Sequence, residues 1–204
     1  AFEGALLSRG CRGETGAIDH VRAEGGKLAC HTIGGVPPAG VCGSGVVDAV
    51  AALLDLGLLD ETGRLDTEEA DEAGQPIASL AGGVSLSQKD VRLVQLAKSA
   101  VCAGLRTIVR EAGLREADVD DFYIAGGFGA FLDRERAARM GLIPAELAGK
   151  AHVMGNGALA GAAMLLCDGA LIGETEAFAA AAAHIELSTN AYFKERYIED
   201  MMFE

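Results

Sequence analysis

The sequence has 204 residues, half of them hydrophobic, and a mean hydropathy of +0.24. That is enough apolar material for a sizeable core and excludes disorder as a general description. Seventeen Lys and Arg against 30 Asp and Glu leave a net charge of −13, which argues against nucleic acid or an anionic membrane surface as partner. The longest apolar run, residues 157–167, falls short of the roughly 20 residues a membrane-spanning helix needs.

Residues 17–23 and 27–33 are short, partly β-branched runs joined by Gly25-Gly26, the pattern of a β-hairpin. Residues 37–40, Pro-Pro-Ala-Gly, predict a loop. Ser44 then predicts a helix cap, with Val46, Val47, Val50, Leu53, Leu54 and Leu58 at helical spacing behind it. The acidic, Gly- and Pro-punctuated stretch 60–76 reads as a solvated loop or insertion. A third strand is expected over 82–86. Ser87 and Asp90 open a long helix through about Ala112, with Gly113 as its stop. A buried strand is expected over 122–125, a helix over 133–140 ending before Pro144, and another strand over 151–154. Helices are expected over 158–166 and 174–183, and a docked C-terminal helix over 189–204, where solvating so many large apolar groups would be costly. Strands followed by covering helices predict an α/β layered fold, a single domain over 1–204. The sequence opens on Ala-Phe-Glu-Gly without Met and reads as the C-terminal piece of something longer.

Three glycine clusters fall at strand-to-helix turns: Gly40 to Gly45, Gly126 to Gly129, and Gly155-Asn156-Gly157. Glycine lets backbone approach a ligand closely, and a helix N-terminus behind it offers unpaired N–H groups to an anion. One such cluster alone more often serves only a tight turn or helix–sheet packing; three at successive turns shift the balance towards a nucleotide crevice. None is GxGxxG or GxxxxGK[ST], so neither a Rossmann nor a P-loop site is supported. On the long helix, Gln95, Lys98 and Ser99 share one face at i, i+3, i+4. The same spacing suits the ordinary solvated face of an amphipathic helix.

The five cysteines form no CxxC and the four histidines no HxH or HxxxH, so no local metal motif exists. An odd, scattered set suits a reducing cytoplasm. Cys42 is expected near a helix N-terminus, either as a reactive thiol or as a small residue packed in the turn. Cys30, Cys102 and Cys167 lie in apolar stretches and are expected in the core.

The runs Phe122-Tyr-Ile-Ala-Gly-Gly-Phe-Gly-Ala-Phe-Leu-Asp133 and Gly155-Asn-Gly-Ala-Leu-Ala-Gly-Ala162 resemble the adenosine motif and second connecting helix of the acetate and sugar kinase/Hsp70/actin superfamily. Together with Ala1-Phe-Glu-Gly-Ala5, Gly40-Val-Cys-Gly-Ser-Gly-Val-Val-Asp48, Gln95-Leu-Ala-Lys-Ser-Ala100 and the Met201 to Glu204 end, the chain resembles the C-terminal lobe of the reductive activators of corrinoid proteins. The resemblance implies a ribonuclease-H-like lobe with a mixed sheet flanked by helices. It implies a larger parent that binds ATP with Mg2+ between two lobes and carries a [2Fe-2S] cluster in a ferredoxin-like domain outside this chain. That parent would use ATP to return Co(II) to Co(I) on a corrinoid protein of a methyl-transfer pathway. On the family pattern Gly126, Gly127, Phe128 and Gly129 line the adenosine, and Gln95, Lys98 and Ser99 face it from the long helix. Gly43, Ser44 and Asn156, at the other two glycine turns, complete the implied nucleotide-binding set. Asp48 and Asp133 suit a nucleotide or magnesium contact, but also a dipole partner and an N-cap. Phe128, Phe131 and Leu132 suit an adenine cap or a partner contact, but also core packing. Implied partners are the corrinoid protein, the parent's first lobe and ferredoxin-like domain, and a second copy through the apolar tail. Catalytic carboxylates and phosphate loops would lie outside this chain, which alone is expected to be inactive. Two other readings stay open: a lobe of a superfamily small-molecule kinase, and a partner-docking module that has lost ATP.

Overall fold

A computed structural model describes residues 6–203. The motif Ala1 to Ala5 and Glu204 lie outside the described residues. Strands β1 (Ala17–Glu24) and β2 (Lys27–Thr32) form the expected antiparallel hairpin. Gly25 and Gly26 close it with φ of 57° and 78°, left-handed backbone that L side chains rarely adopt. A bulge at Asp19 shifts the register from Ile18↔Thr32 to His20↔His31. Strand β3 (Gly40–Val41) joins β1 in parallel, and the preceding chain adds a parallel bridge from Gly10 to Val41.

Helix α1 (Gly43–Asp55) follows at once, and every residue from Gly43 to Leu53 is buried. Its apolar surface runs around the whole cylinder, so it needs cover on all sides. It packs against β1 and against α4 (Arg134–Arg139). Cys42, not Ser44, is the N-cap residue, and no side chain caps the helix. The stretch 60–76 holds two isolated antiparallel bridges, Leu59↔Leu65 and Ala70↔Pro76, tied by Asp60 and Asp71 turns. The strand expected over 82–86 is displaced: β5 spans Ser85–Ser87 and pairs with β4 (Ile77–Ser79), for which the sequence offered no signal. A three-residue strand is too short to show a period, and its partner decides it.

Helix α2 (Gln88–Glu111) starts where its capping box predicts: Ser87 and Asp90 exchange side-chain and backbone hydrogen bonds. Gly113, φ 73°, ends it. Asp90 is 1% exposed and also accepts from the Ser8 N–H at 2.8 Å and from the Ser8 hydroxyl. Burial alone would raise this carboxyl, but the Ser8 and Ser87 hydrogen bonds outweigh it and hold it below the usual carboxylate range. A carboxyl depressed by folding stabilises above its unfolded value near pH 4 and loses that contribution as pH falls through the lower folded value. Asp90→Asn is therefore expected to cost about 1–2 kcal/mol at neutral pH and to flatten the acid limb of stability, read by urea midpoints from pH 7 down to pH 2.

The second half of the chain builds a separate parallel pair, β6 (Phe122–Ala125) with β7 (Ala151–Gly155). Between them lie α3 (Gly127–Ala130), α4 and α5 (Ala145–Ala148). After β7 come α6 (Gly157–Cys167), α7 (Leu171–Ala181) and α8 (Ala191–Glu199). Helix α7 starts and ends a little earlier than the sequence pattern suggests. Neither α6 nor α7 has a buried residue; Leu159, Met164, Leu166, Ile172 and Phe178 are all exposed. Two expectations fail with them: Cys167 at the end of α6 is exposed, and Cys30 is only half-buried, whereas Cys102 is core. The main core joins β1, α1, α2, the chain after α4, and Phe203.

Helix α8 packs along α2, with the Arg110 guanidinium 4.1 Å from the Tyr192 ring centroid. Among the described residues, three small sheets flanked by helices thus make the mixed α/β layering. Among the described residues no helix is long and apolar enough to cross a membrane.

Candidate functional site

The parallel pairing of β6 and β7 brings two of the glycine clusters together. Ala125 pairs with Gly155, and the next N–H, that of Gly126, donates to the Gly155 carbonyl at 2.7 Å. Both strands therefore end side by side, each in a glycine turn that opens a helix. The carboxyl ends of parallel strands are where α/β folds bind ligands. Gly126 has φ 104° and Gly155 φ 64°, so both turns depend on glycine. A Cβ at Gly126 or Gly127 would meet nothing within 4 Å, so the surface over this turn is open. Gly129 is different: a Cβ there would collide with Ile124, so it serves packing of α3 on β6. Phe128 is half-buried against the core, while Phe131 is 70% exposed and does not pack there. Asn156 caps α6, accepting from the Leu159 N–H at 3.0 Å. Helix α6 is 11 residues long and points its N-terminal dipole at the same turn.

The third glycine cluster lies elsewhere. Gly43 and Ser44 are buried, and Gly45 sits against the Ile18 carbonyl, so this turn serves close packing. Gln95, Lys98 and Ser99 do share a face, but it points inward. They are 3%, 1% and 0% exposed, while Leu96, Val101 and Ile108 of the same helix face out. The Gln95 amide donates to the carbonyls of Thr62 and Met201, and the Lys98 ammonium to that of Met202. The Phe203 ring lies 5.0 Å from the Lys98 nitrogen. The Ser99 hydroxyl turns back to the Leu96 carbonyl. The C-terminal turn takes the Gln95 amide and the Lys98 ammonium, and Ser99 bonds within its own helix, so the three polar ends that the family resemblance assigns to a nucleotide are engaged inside the protein.

Asp133 is the N-cap of α4, accepting from the N–H groups of Glu135 and Arg136. Asp48 is 4% exposed and accepts from His20 Nδ1 at 3.0 Å and from the Val21 N–H at 3.2 Å. Its Oδ1 is buried without a hydrogen-bond partner. Burial pushes this carboxyl above the usual carboxylate range against the His20 bond, and nearby Asp133 adds to the rise. Local sequence reasoning missed the His20–Asp48 pair, because 28 residues separate its members and no short motif joins them. Among the described residues no group of three or more His, Cys, Asp or Glu is placed to hold a metal ion. The backbone of the Gly126-Gly127 turn is open to approach, and among the described residues the cysteines form no metal-holding group.

Comparison with known proteins agrees with this architecture. Residues 1–204 match the family described as the C-terminal domain of RACo, the ASKHA domain. The chain is 35% identical to the corrinoid activation enzyme RamQ of Eubacterium limosum, matching all of this chain and 38% of that protein. It is 27% identical to the [Co(II) methylated amine-specific corrinoid protein] reductase of Methanosarcina barkeri, again over the whole chain and 40% of the relative. Among solved structures, a reductive activator for a corrinoid, iron–sulfur protein superposes with a TM-score of 0.86 at 29% identity, over 99% of this chain and 35% of that one. The chain thus spans about two-fifths of the curated relatives it matches. Full-length agreement with the family, carried on an ASKHA fold, means that this chain belongs to the C-terminal ASKHA domains of the RACo reductive activators of corrinoid proteins.

Proposed function

We propose that the paired glycine turns after β6 and β7 form the adenosine-facing half of an ATP site, in a protein that reduces Co(II) to Co(I) on a corrinoid protein. The observation that carries this reading is the open backbone at Gly126 and Gly127, locked beside Gly155 by one hydrogen bond. The names of the relatives support the corrinoid substrate. In this reading the main chain at Gly126 and Gly127 lies against adenine and ribose, Phe128 closes one edge, and Asn156 fixes the α6 N-terminus toward the ligand. Magnesium and the phosphates are held mainly by a first lobe. Electrons come from a [2Fe-2S] cluster in a ferredoxin-like domain. The uphill reduction is driven by ATP-dependent closure of the lobes, coupled to docking on the corrinoid protein.

Gly127→Val in the full-length protein tests the site. Its side chain enters open space, so folding is expected to survive, while nucleotide affinity falls about tenfold or more, roughly 1.4 kcal/mol. Unchanged affinity together with unchanged ATP-dependent corrinoid reduction would sink the assignment. Gly126→Val is less informative, because its φ of 104° strains any side chain whether or not a ligand binds. An anaerobic visible spectrum of the full-length protein tests the redox half: a colourless, iron-free protein after cluster reconstitution rules it out.

A further inference from the structure

We infer that Cys11 and Cys42 form a dithiol–disulfide site, which a low-molecular-weight disulfide closes and a thiol reductant reopens. The backbone carries the argument. Val41 donates to the Arg9 carbonyl at 2.9 Å and accepts from the Cys11 N–H at 3.0 Å, the bonding of a parallel bridge centred on Gly10↔Val41. One residue further along, that register sets Cys11 beside Cys42, both side chains on the same face. Parallel neighbours stand about 4.8 Å apart, inside the roughly 4.4–6.8 Å Cα separation of a disulfide. Cys42 is extended, φ −90° and ψ 176°, so the register holds through it. In the dithiol state Cys11 Sγ lies 2.9 Å from the position a Cβ of Gly40 would take, so a side chain there would crowd the thiol and glycine leaves it room. The Cys42 thiol lies 3.5 Å from the Ser44 hydroxyl.

Burial raises the Cys11 thiol, and Cys42 is the next contributor, ahead of Glu14. Exposure orders the chemistry: Cys11 is half-buried, whereas Cys42 is 5% exposed. An external disulfide therefore meets Cys11 first. The Cys11 thiolate attacks one sulfur of glutathione disulfide, the S–S bond breaks, and one glutathione thiolate leaves. Cys42 then attacks Cys11 Sγ as thiolate and expels the second glutathione thiolate. Two electrons pass from the protein dithiol to the reagent, and the two protons end on the released glutathiones. Cys30, Cys102 and Cys167 sit on β2, α2 and α6 and share no such register.

The test is to equilibrate the protein with glutathione disulfide, alkylate, and map peptides without reduction. Free thiols are expected to fall from five to three. The product should be one intrachain Cys11–Cys42 peptide pair, at the monomer position of a non-reducing gel and reversed by dithiothreitol. Cys42→Ser is expected to stop at a glutathione mixed disulfide on Cys11. Retention of all five thiols, crosslinks through any other pair, or an arrest of the wild type at the mixed disulfide would each overturn the inference.

Discussion

Gly45→Ala is expected to destabilise the domain by about 3 kcal/mol, at the upper end of what overpacking costs. The new methyl would fall well inside van der Waals contact of the Ile18 carbonyl oxygen, and the next atoms in line are the Ile18 carbonyl carbon and Val41 Cγ2 at 2.9 and 3.0 Å. All of these belong to the sheet on which α1 lies, and the Ile18 carbonyl already accepts from the Cys42 N–H at 3.0 Å. Neither partner can move alone: α1 is enclosed from Gly43 to Leu53, so relief requires lifting a whole helix from β1. Gly161→Ala in α6 is the control. It meets no atom within 4 Å and lies inside a helix, so it should gain ~0.5–1 kcal/mol from helix propensity. Equilibrium unfolding in urea measures both; a Gly45→Ala midpoint equal to wild type would mean that α1 does not lean on β1 as described.

Phe203→Ala is the second large effect, expected near 3–4 kcal/mol. Phe203, the penultimate residue of the sequence, is 3% exposed, and its N–H donates to the Glu61 carbonyl at 2.8 Å. Its ring lies 5.0 Å from the nitrogen of Lys98, a buried cation that also donates to the Met202 carbonyl of the same turn. Truncation removes core packing and the cation–π contact together, leaving a charge in a partly opened cavity. Arg106 and Arg196 both reach Asp200 just upstream, so the loss should spread to α8. Met202→Ala, at a 43% exposed neighbour, should change stability by less than about 0.5 kcal/mol. If the two substitutions cost the same, the C-terminal turn is not the clasp on α2 that its contacts indicate.

The clasp bears on the proposed site. Gln95 and Lys98 are bound to the carbonyls of Met201 and Met202, whereas the Gly126-Gly127 turn presents open backbone. The exposed apolar side chains of α6 and α7 border the same half of the chain.

Elements whose signals are local could be read directly from the residues. The hairpin turn at Gly25-Gly26, the start of α2 at Ser87 and Asp90, its stop at Gly113, and the glycine ends of β6 and β7 are each set by residues a few positions apart. Positive φ, side-chain caps and missing N–H partners act over that range. The ASKHA family was legible for the same reason, since its motifs are contiguous runs. Which groups meet across long separations depends instead on how the chain packs. Helix periodicity showed that Gln95, Lys98 and Ser99 share a face, but not that a turn more than 100 residues on would supply its acceptors and draw it inward. Nor could spacing pair His20 with Asp48, β4 with β5, or Cys11 with Cys42. A buried polar side chain goes where its partner is, and the partner is fixed by how the chain packs, not by the residues beside it.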